Sequence, residues 1–234
     1  MLIGLASYKF INNNVEFNIS QIERALQIAD GVDLLCFGEA FLQGFDAFCW
    51  SYVNDQAVAI SKNSNTMQRI ENLSKQYATD LAFGYLEADG ESLYSSYAII
   101  INGKLAFNYR RISAGWKEYE LTDSHYKEGT EILTFFYKGH NVAVALCGDL
   151  WEYPQRFASD DLLIWPVYVD FTVDEWAEEE AEYSKQAQLA CNHTLMINSL
   201  SENSDCHGGC FYFADGKTCQ KLNFDVEDVL VVRI

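Results

Sequence analysis

Short apolar runs alternate with longer amphipathic stretches along almost all of the 234 residues, and this rhythm restricts the fold more than any other feature. Residues 1–7 read as a first strand. Residues 18–29 follow with Ile19, Ile22, Leu26 and Ala29 spaced along one helical face, and Asn18 is the expected cap. Residues 32–37 read as the next strand. The pattern then repeats, with Met67, Ile70, Leu73 and Tyr77 on a helical face over residues 66–77 and a strand over 81–86. A chain that cycles in this way is an α/β protein.

Residues 95–101 and 104–109 are β-rich and are separated by Asn102-Gly103, a dipeptide suited to the positive φ angles of a tight hairpin. Further strands are expected over residues 131–137, 142–147 and 162–169. A long acidic helix over 173–192, a strand over 194–200, and closing strands over 208–213, 221–225 and 229–234 complete the chain. So many strands, covered by so few helices, imply two packed sheets with helices outside. With no low-complexity linker and only Pro154 and Pro166 to mark a boundary, residues 1–234 are expected to form a single domain.

Acidic residues outnumber basic ones by 34 to 16, and the net charge of −18 disfavours phosphate backbones and anionic lipid, so no nucleic-acid or membrane partner is expected. Charged residues interrupt every apolar run well before the roughly 18 residues of a membrane span. Residues 1–10 show no signal-peptide pattern, and seven cysteines is an odd number for a disulfide framework, so reduced thiols and a cytoplasmic location are expected.

One of those thiols has a chemical setting. Cys147 ends the apolar run from Val142 and is followed by Gly148 and Asp149, so a buried strand delivers sulfur to a sharp turn. Backbone N–H groups of such a turn can face an oxygen that becomes negative during nucleophilic attack. A packed core cysteine is the ordinary alternative. Glu39 is placed similarly, after the strand over 32–37 and Gly38 and before Ala40, Phe41 and Leu42. A carboxyl group in apolar surroundings suits proton transfer, whereas the ordinary alternative is a surface carboxylate.

The run from Gly38 to Phe45, GEAFLQGF, resembles the glutamate motif of the carbon–nitrogen hydrolase, or nitrilase-like amidase, superfamily. The run from Val144 to Pro154, VALCGDLWEYP, resembles its nucleophile motif, and Ile164-Trp165-Pro166, Asn198 and Gly208-Gly209-Cys210 track its later landmarks in order. The resemblance implies a four-layer α-β-β-α sandwich, a homodimer, no cofactor and a small-molecule amide substrate. It also implies a catalytic glutamate, lysine and cysteine. Glu39 and Cys147 match the first and last. The lysine is expected two positions after a strand-ending tyrosine, where Tyr109-Arg110-Arg111 supplies arginine instead. Lys117, six residues on, is expected to reach the pocket in its stead, with Arg111 as the alternative; Glu118 and Glu120 both remain candidates for a second pocket glutamate.

Other chemistry-bearing residues carry less. Cys206, His207, Cys210 and Cys219 have zinc-ligand types without two well-spaced Cys-X-X-Cys pairs, so no metal site is expected. His125, His140 and His193 read as surface or capping residues, and Glu178, Glu179, Glu180 and Glu182 as a solvated helix face. No nucleotide-binding glycine loop is visible. The expected activity is amide hydrolysis through a thioester, with Glu39 as base and acid, Lys117 as oxyanion stabiliser and Cys147 as nucleophile. Trp116, Trp151 and Tyr168 are expected to line the pocket. The alternative is a noncatalytic family member that binds a small ligand or a protein.

Overall fold

Two mixed sheets account for the strand-rich pattern. The computed structural model describes residues 1–203 and 206–234. In the first sheet β1 (Leu2–Ser7), β2 (Leu34–Cys36) and β3 (Asp80–Asp89) run parallel. The hairpin strands β4 (Ser92–Ile101) and β5 (Lys104–Arg110) extend that sheet on one side. In the second, β7 (His140–Val144), β8 (Leu162–Val167) and β9 (His193–Leu200) are the parallel strands. They are flanked by β6 (Leu133–Tyr137) and by β10 (His207–Ala214) with β11 (Lys217–Lys221). The last strand, β12 (Asp228–Arg233), returns to pair with β1 and sets both chain ends side by side.

The inner faces of both sheets share one core, in which Leu5, Leu34 and Tyr97 of the first sheet join Val144, Ile164 and Ile197 of the second. On the outer face of the first sheet lie α1 (Val15–Ile28) and α3 (Asn65–Tyr77), which bury Ile19, Ile22, Leu26, Met67 and Ile70. On the other side α5 (Val173–Gln188) buries Trp176, Tyr183 and Ala187. This is the four-layer sandwich, because each sheet has one face for its partner sheet and one for its helices.

Several local expectations shift. The cap of α1 is Asn14, whose side chain accepts from Phe17 N; Asn18 lies one turn inside, buried, with its amide bound to backbone of Ile11 and Leu42. The acidic helix stops at Gln188, and the chain tightens through Leu189 and Ala190 into β9. Asp215 and Gly216 form a turn, with φ of 49° and 70°, so β11 begins earlier than the expected 221–225. The unanticipated α2 (Tyr52–Val58) has no apolar stripe and is anchored by buried Asp55, which accepts from Tyr126 OH at 2.6 Å. The Asn102-Gly103 hairpin forms as expected, with φ of 51° and 65°. Among the described residues no helix is long and apolar enough to cross a membrane.

Candidate active site

Glu39 is delivered by the end of β2. Phe37 N bonds Ala82 O at 2.8 Å; the chain then turns across β3, with Gly84 N on Gly38 O and Leu42 N on Gly84 O, both at 3.1 Å. A Cβ on Gly84 would lie 2.3 Å from Ala40 N, so only a bare Cα admits this turn. Glu39 N also bonds Val167 O at 3.3 Å, which ties the turn to the second sheet. The Glu39 side chain is fully buried. Its Oε1 accepts from Ser95 Oγ at 3.0 Å and from Arg111 Nη1 at 2.9 Å, while Oε2 is buried and has no hydrogen-bond partner among the described residues.

Cys147 lies beyond the end of β7. Ala145 and Cys147 continue the course of the strand by bonding Ile164 O and Pro166 O, and the chain then breaks into the short helix α4 (Asp149–Glu152). The cysteine sits at φ 37°, a left-handed conformation uncommon for a residue with a Cβ. It is held by its N–H on Pro166 O and by Trp165 Nε1 donating to its carbonyl, each at 2.9 Å. Strain fixed from several sides in this way is a feature of functional sites. The thiol makes one long contact, 3.9 Å to Tyr168 O. Burial, reinforced by the negative charge of Glu39 and opposed by Arg111, pushes the thiol up to about 12. Gly148 N donates to no acceptor among the described residues.

The cation facing these groups is Arg111, and the expectation for Lys117 is not met. Arg111 follows β5 directly, its N–H bonds Ser95 O at 2.9 Å, and its side chain is 3 % exposed. Nε donates to Ser113 Oγ at 2.7 Å and Nη1 to Glu39. Nη2 lies where a Cβ on Gly148 would be, 2.4 Å from that position, and makes no hydrogen bond among the described residues. Burial opposes the guanidinium charge, but Glu39, Cys147 and Asp149 outweigh it and hold Arg111 protonated above its ordinary range. Lys117 instead donates to Tyr126 O at 2.6 Å and pairs with Glu128 at 2.8 Å, within its own loop. The register of β5 decides this: residue 111 enters the site, and the chain has turned away before residue 117. The width of the guanidinium is accommodated by bare Cα atoms at Gly148 and Gly115. Glu118 and Glu120 are exposed.

Two residues at this site gave no signal in the sequence, and a third was visible there only as part of the run that follows Cys147. Ser95 and Ser113 orient Glu39 and Arg111, and Asp149 stands just behind the cysteine; a serine in an alternating strand or a turn is too common to be singled out. Of the expected aromatics, Tyr168 presents its carbonyl to the sulfur while its ring stacks on Phe45. Trp116 is buried among Phe48 and Tyr126, and Trp151 packs on Trp165 and Tyr183. Cys206 and Cys210 are buried, Cys219 is exposed and His207 pairs with Asp225. Among the described residues no three His, Cys, Asp or Glu side chains are grouped to hold a metal ion.

The family model for carbon-nitrogen hydrolase matches residues 3–157, and the chain belongs to that family. A glutamine-dependent NAD(+) synthetase of Thermotoga maritima is 27 % identical over 164 residues, covering 67 % of this chain and 27 % of that protein. A nitrilase of Talaromyces marneffei is 30 % identical over 112 residues, 44 % of this chain and 34 % of that protein. The chain thus spans about a quarter to a third of the length of these two relatives. Among solved structures, an amidase from Nesterenkonia sp. superposes with a TM-score of 0.78 at 17 % identity, over 99 % of this chain and 89 % of that one. The glutamine-dependent NAD+ synthetase of Acinetobacter baumannii gives 0.77 at 18 % identity, over 98 % of this chain and 44 % of that one. At such identities the structures establish the shared fold.

Proposed function

We propose that this protein is a cysteine-dependent hydrolase that cleaves the C–N bond of a small amide, with Cys147 as nucleophile, Glu39 as base and acid, and Arg111 in place of the family's lysine. The observation that carries this reading is the free Glu39 Oε2, a buried acceptor whose partner atom holds both Ser95 and Arg111. A buried acceptor without a donor is costly, so the group that completes it must bring a donor hydrogen. The thiol can do so in the first step and an amide nitrogen in the next. An amide brings an N–H of this kind in its ground state, which supports the amide reading.

The resting sulfur is a thiol, since it is held up to about 12. Glu39 therefore takes its proton as the S–C bond forms, and the carbonyl electrons move onto oxygen. Arg111 Nη2 and Gly148 N are the free donors for that oxyanion. As the tetrahedral centre collapses, Glu39 gives the proton to the departing nitrogen and leaves a thioester. Water then attacks, Glu39 accepts its proton, and the regenerated thiolate takes it back as the acid leaves. A variant of a Nesterenkonia amidase carries acrylamide joined to its active-site cysteine by Michael addition, a different bond from the thioester proposed here but one that also needs a nucleophilic sulfur.

The test is a panel of aliphatic amides, ω-amides and carbamoyl compounds, followed by mass measurement after brief exposure to the substrate found. The wild type should hydrolyse at least one and show an acyl adduct on Cys147, and Cys147→Ala should do neither. No turnover across the panel, together with no acyl adduct on Cys147, would leave the noncatalytic reading, for which arginine in the lysine place is the supporting observation.

A further inference from the structure

We infer that Asp149 is a positioning residue that sets the Arg111 guanidinium against the Cys147 turn, because its one buried carboxylate binds the backbone just after the arginine, the Tyr109 hydroxyl just before it, and the backbone immediately before the cysteine. This inference rests on the proposed roles of Arg111 and Cys147. Asp149 is fully buried. Its Oδ1 accepts from Ile112 N at 3.1 Å and Ser113 N at 2.7 Å, the two residues that follow Arg111. Its Oδ2 accepts from Leu146 N at 2.8 Å, the residue before Cys147, and from Tyr109 OH at 2.7 Å, two residues before Arg111. The Asp149 N–H in turn bonds Leu146 O at 2.8 Å and closes the turn around the sulfur.

Four donors from two chain segments therefore meet on a single carboxylate, and no backbone–backbone hydrogen bond joins the two segments among the described residues. Arg111 comes from the end of the first sheet and Cys147 from the end of the second. Their separation depends on how the two loops are joined: the exposed bond from Ala114 N to Glu152 Oε1, at 3.3 Å, is one link, and Asp149 supplies the buried one. Charge-assisted hydrogen bonds of this kind are short and directional, and so fix position better than apolar contact. Ser113, held by its N–H on Asp149, also receives Nε of Arg111, so the carboxylate controls the guanidinium through one intermediate residue.

The test changes the position of the carboxylate and conserves its charge. Asp149→Glu and Tyr109→Phe are each compared with wild type, and again in a Glu39→Gln/Arg111→Met background that removes the buried ion pair together. The readout is the iodoacetamide alkylation rate of Cys147, followed on its own peptide from pH 7 to 11, and it requires no substrate. With Arg111 present, Asp149→Glu should slow alkylation about tenfold and Tyr109→Phe about threefold, as the cation moves off the sulfur; without it each effect should fall below about twofold. Equal effects in both backgrounds, or none in a folded Asp149→Glu protein, would overturn the inference. Tyr109→Phe decides alone where Asp149→Glu does not fold. A wild type that hydrolyses no amide yet shows the coupling would refute the proposed function and leave the positioning role standing.

Discussion

Removing the Arg111 charge tests the site at its most expensive contact. Glu39 is fully buried and Arg111 is 3 % exposed, with Nη1 and Oε1 2.9 Å apart. A pair so enclosed loses little to solvent screening. Breaking such a pair by deleting one partner costs about 3–5 kcal/mol, because the remaining charge is left buried without compensation. In a domain of this size about 1 kcal/mol moves the melting temperature by roughly 2–4 °C. Arg111→Met should thus melt about 6–20 °C below wild type. Glu39→Gln together with Arg111→Met removes both charges, leaves no ion stranded and should cost less than Arg111→Met alone, although it carries one more change. Urea unfolding followed by circular dichroism at pH 7 gives all four corners of the cycle. A single variant within about 1 kcal/mol of wild type, or a double variant as costly as the two singles summed, would refute the buried pair and with it the identity of the site's cation.

Gly148→Ala places a Cβ 2.4 Å from Arg111 Nη2, and the guanidinium cannot swing aside while Glu39 and Ser113 hold its other nitrogens. Its φ of −60° is acceptable to alanine, so the cost is steric: about 1–3 kcal/mol in urea unfolding, with a fall in turnover on any substrate found. Alkaline stability provides a third check. The Cys36 and Cys147 thiols are both pushed up from 9.0 to about 12, chiefly by burial. Below about pH 9 both the folded and unfolded chains keep these protons and stability is unaffected. Between about 9 and 12 the unfolded chain releases protons that the folded one retains, so stability falls as pH rises, by at most about 1.4 kcal/mol per pH unit for each thiol. Cys147→Ala should remove its share of that slope in urea melts from pH 8 to 11, and an unchanged slope would show that this thiol is not held protonated.

The parts of the fold legible in the sequence were those written as periodicity or as a turn dipeptide. Ile19, Ile22 and Leu26 mark a helix face, Asn102-Gly103 marks a hairpin, and both occur where the spacing places them. Boundaries were less legible where a tertiary bond outbids a local one. Asn18 has the chemistry of a cap, but Ile11 and Leu42 claim its amide, and Asn14 caps instead. The site divides the same way. Glu39 and Cys147 stand next to glycines at strand ends, and that local signal is visible in one dimension. The cation is legible only in part: the register two residues after Tyr109 points to Arg111, but the width of a guanidinium argues for Lys117 until the space around it is known. That choice depends on the register of β5 and on the space left by Gly148, a residue of a different segment.

The division of labour between the sheets explains why so few residues near the sulfur are free to vary in position. Glu39 comes from the end of a parallel strand in one sheet and Cys147 from beyond the end of a parallel strand in the other, so the packing of the two sheets sets their spacing. Glu39 N on Val167 O and Cys147 N on Pro166 O place both groups against consecutive residues of β8. The left-handed backbone at Cys147 is a cost of about 1–3 kcal/mol that the chain tolerates only because Pro166, Trp165 and Asp149 hold the residues around it from three directions. Relaxing the turn would lose several of these bonds at once, which is why a strained residue can persist here. The same bonds aim the free Gly148 N–H, so the strain at Cys147 and the donor beside it are one structural feature.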